Sequence, residues 1–210
     1  MYEQKDVHYF AHARTEIASL IDFSPKARVL ELGCGSGHTL HWLKQTQRCG
    51  WAAGIEAYAP RMDSNLIDEF FQSDAEEPLP ALQHAQYDAI LCLDVLEHLR
   101  DPWAVLTKLL ARLAPGGQVI VSLPNIRNYK LVLNLLLKGQ FKYQNDGILD
   151  RTHLRFFTRK SAEEMLQEAG LQVLAVHYPE MNRPAKRFLM ALGWGDLLAK
   201  QMIFSCKALR

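Results

Sequence analysis

The sequence predicts an α/β fold, a three-layer sandwich with helices on both faces of a mostly parallel sheet. Three observations carry the prediction. Short apolar runs alternate with stretches of helical periodicity along most of the chain. The first run, Val29 to Leu32, ends in a turn with glycines at Gly33, Gly35 and Gly37 and then passes into a helical pattern. The run from Tyr87, YDAILCLDV, is apolar without alternation, the pattern of a strand buried on both faces of a parallel sheet.

Each element follows in order. Tyr9 to Ile21 places Phe10, Ala13, Ile17, Leu20 and Ile21 near helical spacing, so a leading helix within residues 1–24 is expected over the front of the domain. Ser24-Pro25 turns the chain into a strand over Lys26 to Leu32, and His38 to Gln47 makes the first crossover helix. Trp51 to Glu56 is the second strand and ends on an acid. A third strand falls near Glu69 to Ser73 and closes on Asp74-Ala75. The fourth runs from Tyr87 and opens into a loop near His98, followed by a helix over Trp103 to Leu113 with Asp101 as cap and Pro102 in its first turn. Pro115-Gly116-Gly117 stops that helix, and Gln118 to Leu123 is the fifth strand. Residues 125–160 form an insertion: an apolar helix over Asn128 to Lys138, ended by Gly139, then an aromatic and basic loop to Thr158. Core, lid and membrane-surface roles are all open to that helix. Ser161 to Ala169 is a helix with Ser161 and Glu164 in capping-box spacing, Leu171 to His177 a sixth strand, Arg183 to Lys200 a helix broken near Gly193-Trp194-Gly195, and Ile203 to Leu209 the last strand.

Composition narrows the class. The 210 residues are 49% hydrophobic and 22% charged, which suits one soluble domain over residues 1–210. The 24 Lys and Arg nearly balance 23 Asp and Glu, so there is no global basic field for nucleic acid or anionic lipid. Cys34, Cys49, Cys92 and Cys206 show no metal-ligand spacing, and a reduced, cytoplasmic setting is expected. Met1 to Leu20 carries too many charges for a signal peptide, and no apolar run is long enough to cross a bilayer. His38 and His41 share a helix face but lack a third ligand, so no metal is expected.

The glycine spacing selects among small-molecule cradles. A dinucleotide fingerprint, G-x-G-x-x-G, needs a glycine where His38 stands, and a nucleoside-triphosphate loop needs a Gly-Lys-Ser/Thr that is absent. What stands is Glu31 followed by Gly33, Cys34, Gly35 and Gly37, E-x-G-x-G-x-G after a strand. This pattern resembles the first motif of class I S-adenosylmethionine-dependent methyltransferases. The run LEHLRDPWAVLTKLLARLAPGGQVIVSLPN resembles small-molecule members of that group almost throughout. DRTHLRFFT after the apolar helix looks like methyltransferases of bacterial polysaccharide and secondary-metabolite pathways, and more loosely like ubiquinone-pathway O-methyltransferases.

The resemblance implies a Rossmann-like sheet of seven strands whose last strand inserts antiparallel between the fifth and sixth. It implies S-adenosyl-L-methionine as cofactor, S-adenosyl-L-homocysteine as product, and the glycine loop with Glu31 and Cys34 against the cofactor. Glu56, at the neighbouring strand tip, accepts the ribose hydroxyls. Asp74 receives the adenine amino group and the Ala75 amide faces a ring nitrogen; Asp94 belongs to the same site. In such enzymes a leading helix caps the pocket, so Tyr9 or Arg14 reaches the methionine end, unless this is an ordinary surface helix. Leu123-Pro124-Asn125 departs from the Asn/Asp-Pro-Pro-Tyr/Phe of enzymes that methylate base amines in DNA, which argues against a nucleic acid partner.

The acceptor is expected to be a small molecule, most readily a hydroxyl of a sugar, quinone or other metabolite, held by Asn125, Tyr143, Arg151 and Arg155. A hydroxyl benefits from a general base, for which His153 is the first choice and His98 the second. A homodimer is left open. Two rivals stand beside this reading: a cofactor-binding accessory or scaffold protein without turnover, and a dehydrogenase.

Overall fold

The computed structural model describes residues 13–58, 66–179 and 193–209. Tyr9 lies outside them. Strands β1 (Arg28–Leu32), β2 (Trp51–Glu56), β3 (Glu69–Gln72), β4 (Tyr87–Leu93), β5 (Leu113–Pro124), β6 (Leu171–His177) and β7 (Gln201–Ala208) form one seven-stranded sheet in the order β3-β2-β1-β4-β5-β7-β6. The pairs from β3 to β5 are parallel, while β7 runs antiparallel to both β5 and β6, as the resemblance implies. The helices are α1 (His38–Gln45), α2 (Pro102–Leu110), α3 (Tyr129–Lys138), α4 (Arg159–Glu168) and the short α5 (Gly195–Leu198).

The two-residue period of the strands sorts their side chains to two cores. Leu30, Leu32, Ile55, Ile90 and Val121 pack with Leu106 and Leu109 of α2 and Met165 and Leu166 of α4. Val29, Ala52, Ala89, Leu91 and Ile120 pack on the opposite side with Leu40 and Leu43 of α1 and with Ile17. Every one of these side chains is buried. Both faces of the sheet are therefore covered, and the apolar strand patterns are the direct consequence. The strand order reverses direction at β1, with β2 on one side and β4 on the other, so their carboxyl ends diverge and leave a crevice.

Several elements differ from their sequence patterns for local reasons. The described part of the leading helix is a 3-10 turn, Thr15–Ser19; just before it the Arg14 amide donates to Thr39 Oγ1 at 3.1 Å, which ties the chain to α1 rather than to a further helical turn. β4 stops at Leu93, because Asp94 adopts φ +54° and a 3-10 turn, Leu96–His98, follows. Pro115-Gly116-Gly117 does not end β5 but is absorbed as an irregularity, since Leu113 already pairs with Tyr87 before Gln118 pairs with Ala89. A Cβ at Gly117 would stand 2.9 Å from the Asp88 carbonyl, so only glycine permits this strand to lie there. α4 begins two residues before Ser161: Thr158 is the cap, its hydroxyl accepts from the Ser161 amide, and the Ser161 hydroxyl accepts in return from the Thr158 amide. Of the long helix expected over Arg183 to Lys200, residues 193–200 are described, and they hold only α5.

Candidate functional site

At the crevice lies a cavity of about 670 Å³ lined by the ends of β1, β2, β3 and β4 and the start of β7. β1 delivers Glu31 and then the glycine turn. Gly33, Gly35 and Gly37 all have positive φ, between +54° and +76°, which keeps side chains away from the opening. Gly33 is fixed twice over, because a Cβ there would meet Val95 at 2.8 Å. Gly37 caps α1 and is not among the lining residues, so its part is to turn the chain into the helix.

Two carboxyl groups dominate the β1 and β2 end. Glu56 is buried, and its carboxylate accepts from the Gly35 amide at 3.0 Å and the Tyr58 amide at 3.1 Å. Burial raises its pKa, and the backbone N–H donors work against that rise. Glu31 is 2% exposed, and its Oε2 finds no hydrogen-bond partner among the described residues. Burial pushes its pKa up to about 8, opposed by Arg14 and helped by Glu56. Cys34 is buried between these acids, which hold its thiol neutral; its pKa lies well above the ordinary value, chiefly through burial. Its Sγ instead fills the space over Gly54, where a Cβ would come within 2.5 Å of it.

β3 is followed by Ser73, Asp74 and Ala75, all lining the cavity. Asp74 Oδ1 accepts from the Glu76 amide at 2.9 Å, so this residue also shapes its own turn. β4 delivers Asp94, whose carboxylate is gripped from three elements. Ser122 Oγ of β5 donates at 2.7 Å, Gln201 Nε2 of β7 at 2.8 and 2.7 Å, and Arg14 forms an ion pair with it. These bonds hold Asp94 in its left-handed conformation at the mouth of the crevice.

Beyond Asp94 stands a cluster of Glu97, His98 and His153. His98 lines the cavity, and its Nδ1 donates to the Thr152 carbonyl at 3.1 Å, so in the neutral ring Nε2 is the basic nitrogen. His153 is buried behind it, with ring centroids 4.7 Å apart, and Nδ1 donating to the Ile148 carbonyl at 3.0 Å. His153 Nε2 lies 3.9 Å from Glu97 Oε1. Glu97 is 1% exposed, neither of its carboxyl oxygens has a hydrogen-bond partner among the described residues, and burial raises its pKa well above the carboxylate range. The three side chains offer ligand atoms within 4.8 Å of one another, a donor set that can share one divalent cation or one proton.

The expected substrate residues separate. Asn125 requires correction: it is fully buried, its amide donates to the Asp196 and Ala199 carbonyls at 2.6 and 2.9 Å, and its Oδ1 accepts from the Arg127 amide. It bolts β5 to the segment before β7, and no donor remains for an acceptor molecule. Arg155 donates to the Arg100 carbonyl and lies over Trp103, outside the cavity lining. Tyr143 packs on Phe141 and Phe156, and Arg151 is exposed; neither is among the lining residues. His153, the first choice of base, is buried behind His98 and is not among the lining residues, whereas His98 is. Sequence reasoning passed over Ser122 and Gln201, which come from two separate strands and have no motif linking them.

Comparison with known proteins agrees with this architecture. The methyltransferase domain family matches residues 4–176. The ubiquinone biosynthesis O-methyltransferase of Psychrobacter arcticus is 30% identical over 179 residues, covering 78% of this chain and 66% of that protein. The enzyme of the same name from Aeromonas salmonicida is 28% identical over 170 residues, covering 76% and 70%. The chain thus spans about two thirds of the length of these relatives. Among solved structures, 1,6-didemethyltoxoflavin-N1-methyltransferase of Burkholderia thailandensis, with bound 1,6-didemethyltoxoflavin and S-adenosylhomocysteine, superposes with a TM-score of 0.65 at 17% identity, covering 100% of this chain and 84% of that one. With its sheet order, its glycine turn between Glu31 and Glu56, and a family match over most of its length, the chain belongs to the methyltransferase domain family and has the fold of S-adenosylmethionine-dependent methyltransferases.

Proposed function

We propose that this chain transfers a methyl group from S-adenosylmethionine to a hydroxyl of a small molecule, such as a sugar, quinone or other metabolite, in a cytoplasmic setting. One observation carries the reading: His98 lines the same cavity as the carboxyl groups that suit the cofactor. The fit to the cofactor rests on the chain's own chemistry. Glu31 presents a buried oxygen without a partner among the described residues, a place for a cationic group, and the turn between Gly33 and Gly35 leaves the backbone open to close approach. Glu56 and Asp74 suit hydroxyl and amino donors, since an ionised carboxylate only accepts. When bound, S-adenosylmethionine supplies a methyl group made electrophilic by its sulfonium.

The protein's part is to align a nucleophile and to take its proton. His98 Nε2 accepts the proton of the attacking hydroxyl, and the Thr152 carbonyl holds the ring in the tautomer that makes this possible. Glu97 and His153 pack behind the ring and fix its position. The names of the relatives favour an oxygen acceptor. Calorimetric titration with S-adenosylhomocysteine, then release of that product from a panel of sugars, quinols and phenols, tests the proposal. His98→Ala should lower kcat about 10²- to 10⁴-fold with cofactor affinity unchanged; undiminished turnover would remove the base. Absence of S-adenosylhomocysteine binding would sink the whole reading. Binding without turnover on any acceptor would instead support an accessory or scaffold role.

A further inference from the structure

Helix α3 is built inside out. Its ten residues include none that is buried, yet seven are apolar. At a turn of 100° per residue, Tyr129, Val132, Leu133, Leu135, Leu136 and Leu137 share one broad arc, and all are exposed, Leu136 and Leu137 to 76% and 73%. The opposite arc, with Lys130, Leu131 and Asn134, faces the protein across a cavity of about 410 Å³ that Lys142 and Lys200 also line. A surface helix of a soluble domain has the reverse arrangement. The helix is nevertheless well anchored. Asn128 caps it and donates to the Leu198 and Ala199 carbonyls, while Asn125 pairs with Phe157 where the insertion leaves and rejoins the sheet.

Charge says what covers the leucines. Arg127, Lys130, Lys138 and Lys142 fall between Asn125 and Asn145, with no acid in that stretch, although the whole chain has a net charge of only +1. Exposed tyrosines, Tyr129 and Tyr143, flank the leucines in sequence. Leucines on one face, Lys130 and Lys138 on the polar arc and exposed tyrosines on either side in sequence are the composition of a helix lying in the interface of an anionic bilayer. A second copy of this chain would bring the same cationic rim and no acid on its own α3 to answer it. At ten residues α3 cannot cross a bilayer, and no helix among the described residues is long and apolar enough to do so.

We propose that α3 and its lysine rim dock this protein on an anionic membrane surface, with the exposed leucines among the acyl chains and Lys130, Lys138 and Lys142 at the lipid phosphates. The proposal does not rest on the identity of the methyl acceptor. It is tested by flotation of the intact chain with vesicles of phosphatidylcholine containing about one third phosphatidylglycerol, and with pure phosphatidylcholine. The wild type should float with the anionic vesicles, bind pure phosphatidylcholine about tenfold less, and lose most binding at high salt. Leu136→Asp with Leu137→Asp should lower partition about tenfold or more, with unchanged thermal unfolding and unchanged S-adenosylhomocysteine binding. Equal partition of wild type and this variant would overturn the proposal. So would a lipid-free dimer, seen by light scattering, that the same two substitutions dissociate, since the leucines would then belong to a second copy.

Discussion

The glycine cradle and the insertion between Asn125 and Phe157 solve opposite problems. In the cradle, polar groups are buried: Glu31 and Glu56 sit at 2% and 8% exposure, one with an oxygen unmatched among the described residues and one held by backbone amides. In the insertion, apolar groups are exposed, and α3 leaves its leucines outside. Both arrangements cost free energy in the isolated chain, because buried polar groups and exposed hydrocarbon each lack their natural solvent. The comparison teaches that each region is completed by something from outside, a cation-bearing small molecule for the cradle and an apolar phase for α3.

The largest effect expected from the contrast is a pH dependence in the cradle. Glu31 has a folded pKa of about 8 against an ordinary 4.5, so the folded state keeps a proton that the unfolded state gives up. Its favourable contribution is full below about pH 4.5 and is lost as pH rises towards 8, at most roughly 5 kcal/mol at about 1.4 kcal/mol per unit. Urea unfolding of the ligand-free protein at both ends of that window should show this fall, and Glu31→Gln should make it shallower, with Glu97 and Glu56 supplying the remainder; parallel slopes for the two proteins would refute the assignment. Cofactor affinity should move the other way, rising with pH as Glu31 ionises to meet a cation.

A smaller effect comes from the neighbouring strand. Glu56→Ala should weaken S-adenosylhomocysteine binding about hundredfold, roughly 3 kcal/mol, since it removes an acceptor and frees the Gly35 amide. Calorimetry showing unchanged affinity would deny Glu56 its place at the ribose. At the root of the insertion, Asn125→Ala should cost about 1–3 kcal/mol in stability by leaving the Asp196 and Ala199 carbonyls without their donor. If it instead altered only the Michaelis constant for an acceptor, Asn125 would regain its substrate role. The smallest effect lies on α3 itself: Leu136→Ser should change chemical-denaturation stability by less than about 0.5 kcal/mol, because most of that residue is already exposed in the fold. A loss of 2 kcal/mol or more there would mean that the leucine face is core, and the contrast between the two regions would collapse.

The cradle was legible in the sequence because its parts are local. Glu31, Gly33, Gly35 and Gly37 follow one another at the end of one strand, and the glycines declare the positive φ that the backbone adopts. Glu56 and Asp74 were legible because parallel strands deliver their last residues to one edge. The chemical end of the site was legible only in part, since His98 and His153 could be named but not brought together. Glu97, His98 and His153 meet because Leu154 and Arg155 donate to the Glu97 carbonyl, which folds a distant loop onto the end of β4. No spacing in the sequence encodes that contact. The choice between His98 and His153 likewise turned on tertiary placement: both rings donate Nδ1–H to a backbone carbonyl, but His98 lines the cavity and His153 does not.

The sequence by itself determined the layers, the sheet and the cradle, because apolar period and glycine backbone freedom act within a few residues. Only the tertiary structure decided that Asp94 is held by Arg14, Ser122 and Gln201, that Asn125 is a bolt between β5 and the Asp196–Ala199 segment, and that α3 turns its leucines outward. Each of these depends on which segments, far apart in the chain, come to lie against one another, and an apolar helix reads the same whether its leucines face a core or face out.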